Sequence, residues 1–263
     1  MHTSSLTHKL MAAATALLFS ASLLTAHAKR TGEFSPQVPV ADSLAADSAT
    51  SLVRFETTLG TFDIALYNDT PLHRDNFLRL VRSGYYDGLL FHRVIRDFMV
   101  QTGDSTSRTA APGTPLGEGD AGYTLPAEIV FPTHYHHRGA VAAARTGDDV
   151  NPERRSSGAQ FYVVWGTTYA KPALSPIRRR VRMATGGKAR FTDEMVADYA
   201  TRGGTPHLDG QYTVFGEVVR GLDVIGRIQA VATDAADRPL TDVRITRATI
   251  VRQAGSQPAS KRQ

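Results

Sequence analysis

The stretch Phe91-His92-Arg93-Val94-Ile95-Arg96-Asp97-Phe98-Met99-Val100-Gln101-Thr102-Gly103-Asp104 contains two strand-like runs, residues 89–95 and 98–102, separated by the polar pair Arg96-Asp97. An Arg on the first run and Phe-Met-x-Gln on the second set a guanidinium, an apolar wall and an amide on one concave face. That mixture suits a ligand apolar in its side chain and polar at its backbone. Two later clusters extend it. Gly158-Ala159-Gln160-Phe161-Tyr162 adds an amide and two aromatic rings, and Leu208-Asp209-Gly210-Gln211-Tyr212 adds Leu208 and Tyr212. Phe98, Met99 or Phe161 alone reads as an ordinary core residue; the three spaced clusters together carry the binding reading.

Outward from this centre the chain is a succession of short apolar alternations. Residues 52–57 and 61–67 form a hairpin around Leu59-Gly60, with Phe62, Ile64 and Leu66 on one face. A helix follows, with Thr70 as N-cap, Pro71 at its first position, Phe77, Leu80 and Val81 as its apolar stripe and Gly84 as its stop. Residues 139–144, 160–165, 213–219 and 242–252 are strand-like. In the last, Val243 and Ile245 share one phase and Ala248 and Ile250 the other, which predicts a bulge. A second short helix is expected over residues 222–229. Many short strands with few helices predict a mainly β protein whose strands close into an antiparallel barrel.

The 263 residues, 41% of them apolar, suffice for one large domain or two small ones with a real core. The absence of Cys excludes a disulfide scaffold, a thiol nucleophile and a Cys-based metal site. A net charge of +5, scattered except for Arg178-Arg179-Arg180 with Arg182, does not indicate a nucleic-acid binder. Gly117-Glu118-Gly119-Asp120-Ala121-Gly122 has the form G-x-G-x-x-G, but no strand precedes it and Pro126 follows where a helix should begin, so it does not read as a dinucleotide site. His134, His136 and His137 crowd four residues; a polar turn explains them better than a metal site, because adjacent strand residues face opposite ways. No G-x-S-x-G supplies a hydrolase nucleophile.

The three clusters, with Gly60-Thr61-Phe62, Asn76-Phe77 and Gly84-Tyr85-Tyr86-Asp87-Gly88 in the same order, resemble the cyclophilin family of peptidyl-prolyl cis–trans isomerases from about residue 52 to 252. The resemblance implies a closed eight-stranded antiparallel β-barrel capped by two helices, with the peptide groove on its outer face. It implies that Arg93 and Gln101 are catalytic. His92, Phe98, Met99, Ala144, Arg145, Gln160, Phe161, Tyr162, His207, Leu208 and Tyr212 would bind substrate, Arg145 through its main chain. Proline-containing polypeptides are the implied partners, and neither cofactor nor metal is required.

This chain departs from the family at several of those positions. Tyr162 stands where members usually have Phe, and Tyr212 where many eukaryotic members have His. His207 stands where those members have Trp, which implies weak cyclosporin binding. Residues 166–205 read as an insertion of helical and loop character, carrying the basic run and a helix starting at Thr192 and ending before Gly203-Gly204. Insertions of this kind resemble those in cyclophilin-like proteins of Bacteroidetes-type bacteria. The first 28 residues read as a signal peptide: Lys9, an apolar run from Leu10 to Leu24, and Ala26-His27-Ala28 as cleavage site. With residues 29–51 as a flexible linker, 52–253 as the isomerase domain and 254–263 as a disordered tail, the expectation is an exported, periplasmic isomerase without stable membrane insertion. A peptide-binding or chaperone module with little catalysis is the alternative.

Overall fold

The first hairpin forms as expected: β1 (Ser51–Thr57) pairs in register with β2 (Gly60–Leu66), and Gly60 takes a φ of 128° that its neighbours would not tolerate. Phe55 and Phe62 are direct partners and stack at 5.3 Å, which begins the core. The computed structural model describes Ser43, Ala45 and residues 47–254. The expected signal peptide, most of the linker and nearly all of the tail lie outside the described residues. The end of that linker is not loose: Ala45 is buried beside Leu52, Ala65 and Val219, and Arg252 Nη1 donates to its carbonyl at 2.9 Å.

The remaining elements are α1 (Pro71–Arg82), β3 (Arg93–Ile95), β4 (Met99–Thr102), β5 (Thr124–Leu125), β6 (Ala140–Ala143), β7 (Ser156–Ser157), β8 (Phe161–Val164), α2 (Lys171–Ala184), α3 (Asp193–Thr201), β9 (Val214–Arg220), α4 (Leu222–Gln229) and β10 (Ile245–Arg252). Eight strands form one antiparallel sheet in the order β10-β1-β2-β9-β6-β8-β4-β3. The sheet is an open half-barrel, not the closed barrel expected. Its terminal strands β3 and β10 do not pair; the gap is spanned by an isolated bridge, Leu90 to Arg244, and by main-chain bonds such as Ile245 N–H to Leu89 O at 2.8 Å. The bulge in the last strand is present. Glu56 pairs with Arg247 and Thr57 with Ile245, so Thr246 is the extra residue that turns both Ile245 and Ala248 inward.

Helices α1 and α4 are the two expected as caps and α3 is the one expected from Thr192, whereas α2 is a helix that the sequence reading did not separate from the surrounding insertion. Helix α1 begins at Pro71, but Thr70 makes no side-chain cap; Glu128, far along the chain, accepts from the N–H groups of Leu72 at 3.0 Å and His73 at 2.9 Å. Phe77 on this helix packs edge-on to Phe161 at 5.2 Å and closes the core with Tyr86 and Phe215.

Residues 166–205 hold α2 and α3 and carry a separate apolar cluster, with Leu174, Val181, Met195 and Tyr199 fully buried. Thr192 caps α3 as expected, accepting from Met195 N–H at 3.2 Å. The segment leaves and rejoins the sheet at one point. Thr167 and Gly204 exchange main-chain hydrogen bonds of 3.3 and 3.0 Å, and a Cβ on Gly166 or Gly204 would overlap neighbouring backbone.

Three imidazoles, His73, His92 and His137, are buried, and burial is the chief cause that holds each below the ordinary histidine pKa of 6.5; for His92 the value is about 4. Such groups take up protons more readily in the unfolded chain, so their contribution is intact above pH 6.5 and is lost as pH falls toward the folded values. For His92 the loss is on the order of 3 kcal/mol. Thermal melts are therefore expected to show Tm falling by about 10 °C between pH 7 and pH 4. A flat profile would mean that these rings are hydrated.

Candidate functional site

Strands β3 and β4 pair so that Arg93 lies directly opposite Gln101. Cross-strand partners share a face, so guanidinium and amide meet outside the half-barrel: Arg93 Nη1 donates to Gln101 Oε1 at 3.5 Å, and Nε lies 3.4 Å from Asp237 Oδ2. These contacts are long and the Arg93 side chain is 44% exposed, so its donors remain open to a ligand. Gln101 is held from behind. Its Nε2 donates to Gln160 Oε1 at 2.9 Å, and Gln160 Nε2 donates to the carbonyls of Gly117 at 2.8 Å and Gly119 at 2.7 Å. Two carbonyls on its nitrogen fix which end of Gln160 faces Gln101, and that in turn aims the Gln101 oxygen at Arg93.

The loop behind Gln160 is the glycine-rich stretch with the G-x-G-x-x-G form, and its role is mechanical. Asp104 accepts from Gly117 N–H at 2.5 Å and from Thr106 N–H at 2.8 Å, while Asp120 accepts from Ser157 Oγ at 2.8 Å and Ala159 N–H at 2.8 Å. Leu116, Gly117 and Glu118 reach the groove itself, as does Ala236; none was singled out from the sequence as a binding residue. The only early signal was Asp104 at the end of the quoted stretch.

An open groove of about 810 Å³, counted out to solvent, runs beside Arg93. Phe98, Met99, Ala144, Tyr162, Leu208 and Tyr212 line it, together with His92, Gln101 and Arg145. The apolar members rest on an outer layer of Met99, Ala142, Tyr162, Val164 and Val214, separate from the core. Alternation along β8 decides which aromatic ring belongs here: Tyr162 and Val164 face out, and Phe161 faces in. Phe161 is thus corrected from groove residue to core residue, packed on Phe55, Phe77 and Tyr86. Gln160 and His207 also do not border the groove directly. Gln160 acts through Gln101, and His207 stacks on Phe98 with ring centroids 5.6 Å apart.

Arg145 contributes in an unexpected way. Its guanidinium lies 4.4 Å from the Tyr212 ring centroid, donates to Gln211 O at 3.0 Å and pairs with Asp148 at 2.6 Å. The side chain thus braces the Tyr212 wall. The Arg145 main-chain N–H and C=O have no intramolecular partner among the described residues, as a strand-like ligand would require. His92 borders the groove but is 3% exposed, with both ring nitrogens buried and unpartnered, and burial keeps the ring neutral.

Tyr162 is fastened by its hydroxyl. His136 Nε2 lies 3.0 Å from Tyr162 Oη, and His136 Nδ1 lies 3.0 Å from Asp209 Oδ1, which also accepts from His136 N–H at 2.9 Å. Tyr199 of α3 donates to Asp209 Oδ2 at 2.7 Å, so a buried polar chain runs from the helical segment to the groove wall. The histidines expected in a polar turn therefore diverge. His134 stacks on Tyr67, His136 serves this chain and His137 points toward Glu217 at 3.9 Å. No group of three or more His, Asp or Glu able to hold a metal occurs among the described residues.

A sequence model described as cyclophilin type peptidyl-prolyl cis-trans isomerase/CLD matches residues 52–250. The chain belongs to the cyclophilin-type peptidyl-prolyl cis–trans isomerases. Peptidyl-prolyl cis-trans isomerase-like 1 of Neurospora crassa is 34% identical over 202 residues, covering 76% of this chain and 94% of the relative. Peptidyl-prolyl cis-trans isomerase CYP18-2 of Arabidopsis thaliana is 33% identical over 202 residues, covering 76% and 93%. A Streptococcus pyogenes protein named for both phosphatase and peptidyl-prolyl cis-trans isomerase activities is 37% identical over 197 residues, but the chain spans only 37% of its length. A crystal structure of a Cryptosporidium parvum cyclophilin type isomerase shares the fold at a TM-score of 0.54 and 23% identity, over 80% of this chain and 99% of that one.

For a cyclophilin-type isomerase built in this way, Gln160→Ala is expected to lower kcat/KM about tenfold by releasing Gln101 from its aim. Far-ultraviolet circular dichroism should be unchanged. Full activity in that variant would mean that Gln101 needs no support from behind.

Proposed function

We propose that the groove accelerates rotation about X–Pro bonds in exported polypeptides, with Arg93 as the electrostatic catalyst and Gln101 as its partner. Amide resonance opposes that rotation with a barrier of roughly 18–20 kcal/mol. In the twisted state the prolyl nitrogen becomes pyramidal and gains a lone pair that accepts a hydrogen bond, whereas the planar ground state offers none. A guanidinium beside that nitrogen therefore binds the transition state in preference to the substrate, and neither nucleophile nor cofactor is needed. Phe98, Met99, Tyr162 and Leu208 would grip the proline ring, while Gln101, His92 and the main chain of Arg145 would pair with the peptide backbone.

The observation that carries this reading is the cross-strand placement of Arg93 opposite Gln101, beside an apolar recess that is open to solvent. Its test is the cis-to-trans rate of a prolyl tetrapeptide with and without the purified protein. Acceleration supports the enzyme; binding of the peptide without acceleration would leave only a peptide-binding module.

Export rests on the composition of residues 1–28, and amino-terminal sequencing of the exported form should find Lys29 first. Weak cyclosporin affinity rests on His207, which lies flat against Phe98 in place of a larger indole. Residues 166–205 are read as an addition to the family domain, on the support of their own apolar cluster and of the meeting of their two ends at Thr167 and Gly204.

A further inference from the structure

Between Lys171 and Arg190 the chain carries seven basic residues and no acidic one. With those seven set aside, 23 basic residues face 25 acidic ones, so the positive charge of the whole protein resides in this one stretch. Arg178, Arg179, Arg182 and Arg190 line a single surface concavity of about 890 Å³, counted out to solvent, with Ala189 and Phe191 as its apolar part. None of the four side chains makes a hydrogen bond or ion pair among the described residues. Outside the stretch every described arginine except Arg247 has such a partner, for example Arg54 with Asp63 and Arg202 with Asp198. Arg178 and Arg182 are also one turn apart on α2, where like charges repel and cost helix stability. Unpaired guanidinia converging on one hollow are a surface awaiting an anion.

The position of the hollow selects the anion. Helix α2 packs against the 3₁₀ turn Pro206–Leu208, and Leu208 of that turn lines the groove. Arg180 of α2 lies near enough to His207 of that turn for its positive charge to add, behind burial and the charge of His136 and against Asp209, to what holds that imidazole below its ordinary range. One three-residue turn therefore stands between the basic helix and the groove, a gap that an extended chain, at roughly 3.3–3.6 Å per residue, crosses in a few residues. A membrane surface fits less well. The apolar residues Leu174 and Val181 of α2 point into the protein and leave Met183 as the helix's one strongly exposed large apolar side chain, short of the apolar face that an interfacial helix presents.

We infer that α2 and Arg190 form a docking surface for acidic stretches of the polypeptides whose prolines enter the groove, so that this isomerase favours X–Pro bonds lying a few residues from clustered Asp or Glu. The inference rests on the isomerase reading. Its mechanism is steering and local concentration: the guanidinia hold the acidic segment, and the tethered proline samples the groove more often.

The experiment compares two proline peptides of equal length, one with three Glu placed three to five residues from the proline and one with Gln in their place, the cluster being tried on either side. The protein is expected to turn over one arrangement of the Glu peptide about tenfold faster in kcat/KM at low salt, with the preference vanishing in 1 M NaCl. R178Q/R179Q/R182Q/R190Q should abolish the preference and leave the Gln peptide within twofold of its original rate. Equal rates for Glu and Gln peptides on both sides would overturn the inference, as would a variant that slows both peptides alike. Arginine-dependent binding to phosphatidylglycerol vesicles without any preference for the Glu peptides would also overturn it and assign the surface to lipid. Failure to turn over the Gln peptide would instead count against the isomerase reading. Fluorescence anisotropy of a labelled Glu peptide with Ala in place of Pro tests the docking surface by itself.

Discussion

Arg93→Ala is expected to lower kcat/KM toward a prolyl peptide by about 10²–10³, the scale of removing one preorganised donor aimed at developing charge. The same variant should melt within about 2 °C of the parent. Arg93 projects from a three-residue strand with 44% of its side chain exposed, and its contacts to Gln101 and Asp237 are 3.5 and 3.4 Å long, too weak to carry the fold. Arg93→Lys keeps the charge but not the planar fork and should fall between the two. Kinetics and thermal melts on the three proteins decide the matter. A collapse of the alanine variant would show a structural arginine, and undiminished turnover would show that the apolar recess alone does the catalysis.

Asp209→Ala is expected to destabilise the protein by about 3–5 kcal/mol, the scale observed when one partner of a buried charged network is removed. Its carboxylate is fully buried and accepts from His136 N–H at 2.9 Å and Tyr199 Oη at 2.7 Å, with His136 Nδ1 at 3.0 Å. Removing it leaves those groups without water or partner. A fall in Tm of about 10 °C or more should follow. Tyr199→Phe removes one donor and leaves the other bonds, so it should cost only about 1 kcal/mol. Differential scanning calorimetry on both variants checks the pair. Comparable small shifts in both would mean that water enters the site and replaces the carboxylate.

Much of the site was legible because side chains on a strand alternate with period two and its chemistry is concentrated in short runs. Arg93, Phe98, Met99 and Gln101 lie within nine residues, and pairing of β3 with β4 brings them together without distant help. The same period explains the one misplaced aromatic. Phe161 and Tyr162 are adjacent, only one can face outward, and nothing in the local pattern says which until β8 is anchored between β4 and β6. Barrel closure was not legible either, since it depends on whether β3 and β10 meet, and the residues on both sides of that gap look strand-like. Long-range polar contacts were equally hidden: the Glu128 cap on α1 spans 56 residues, and the link from His136 to Asp209 spans 73. The basic hollow was visible as composition, but its lack of counter-charges is a property of three-dimensional neighbourhood.

The close meeting of Thr167 and Gly204 has a consequence for how such a molecule can change over generations. A loop whose two ends meet at one spot leaves the pairing of β8 and of β9 with β6 indifferent to how many residues intervene, and beyond that spot it meets the scaffold chiefly where α2 packs on Pro206–Leu208 and Tyr199 bonds Asp209. Lengthening, shortening or exchanging the excursion is therefore an edit the isomerase framework tolerates, provided the replacement shields His136 and Asp209. A fold whose chemistry sits on rigid strands and whose client recognition hangs from a detachable appendage can retarget itself by splicing, with Arg93 and its groove left untouched.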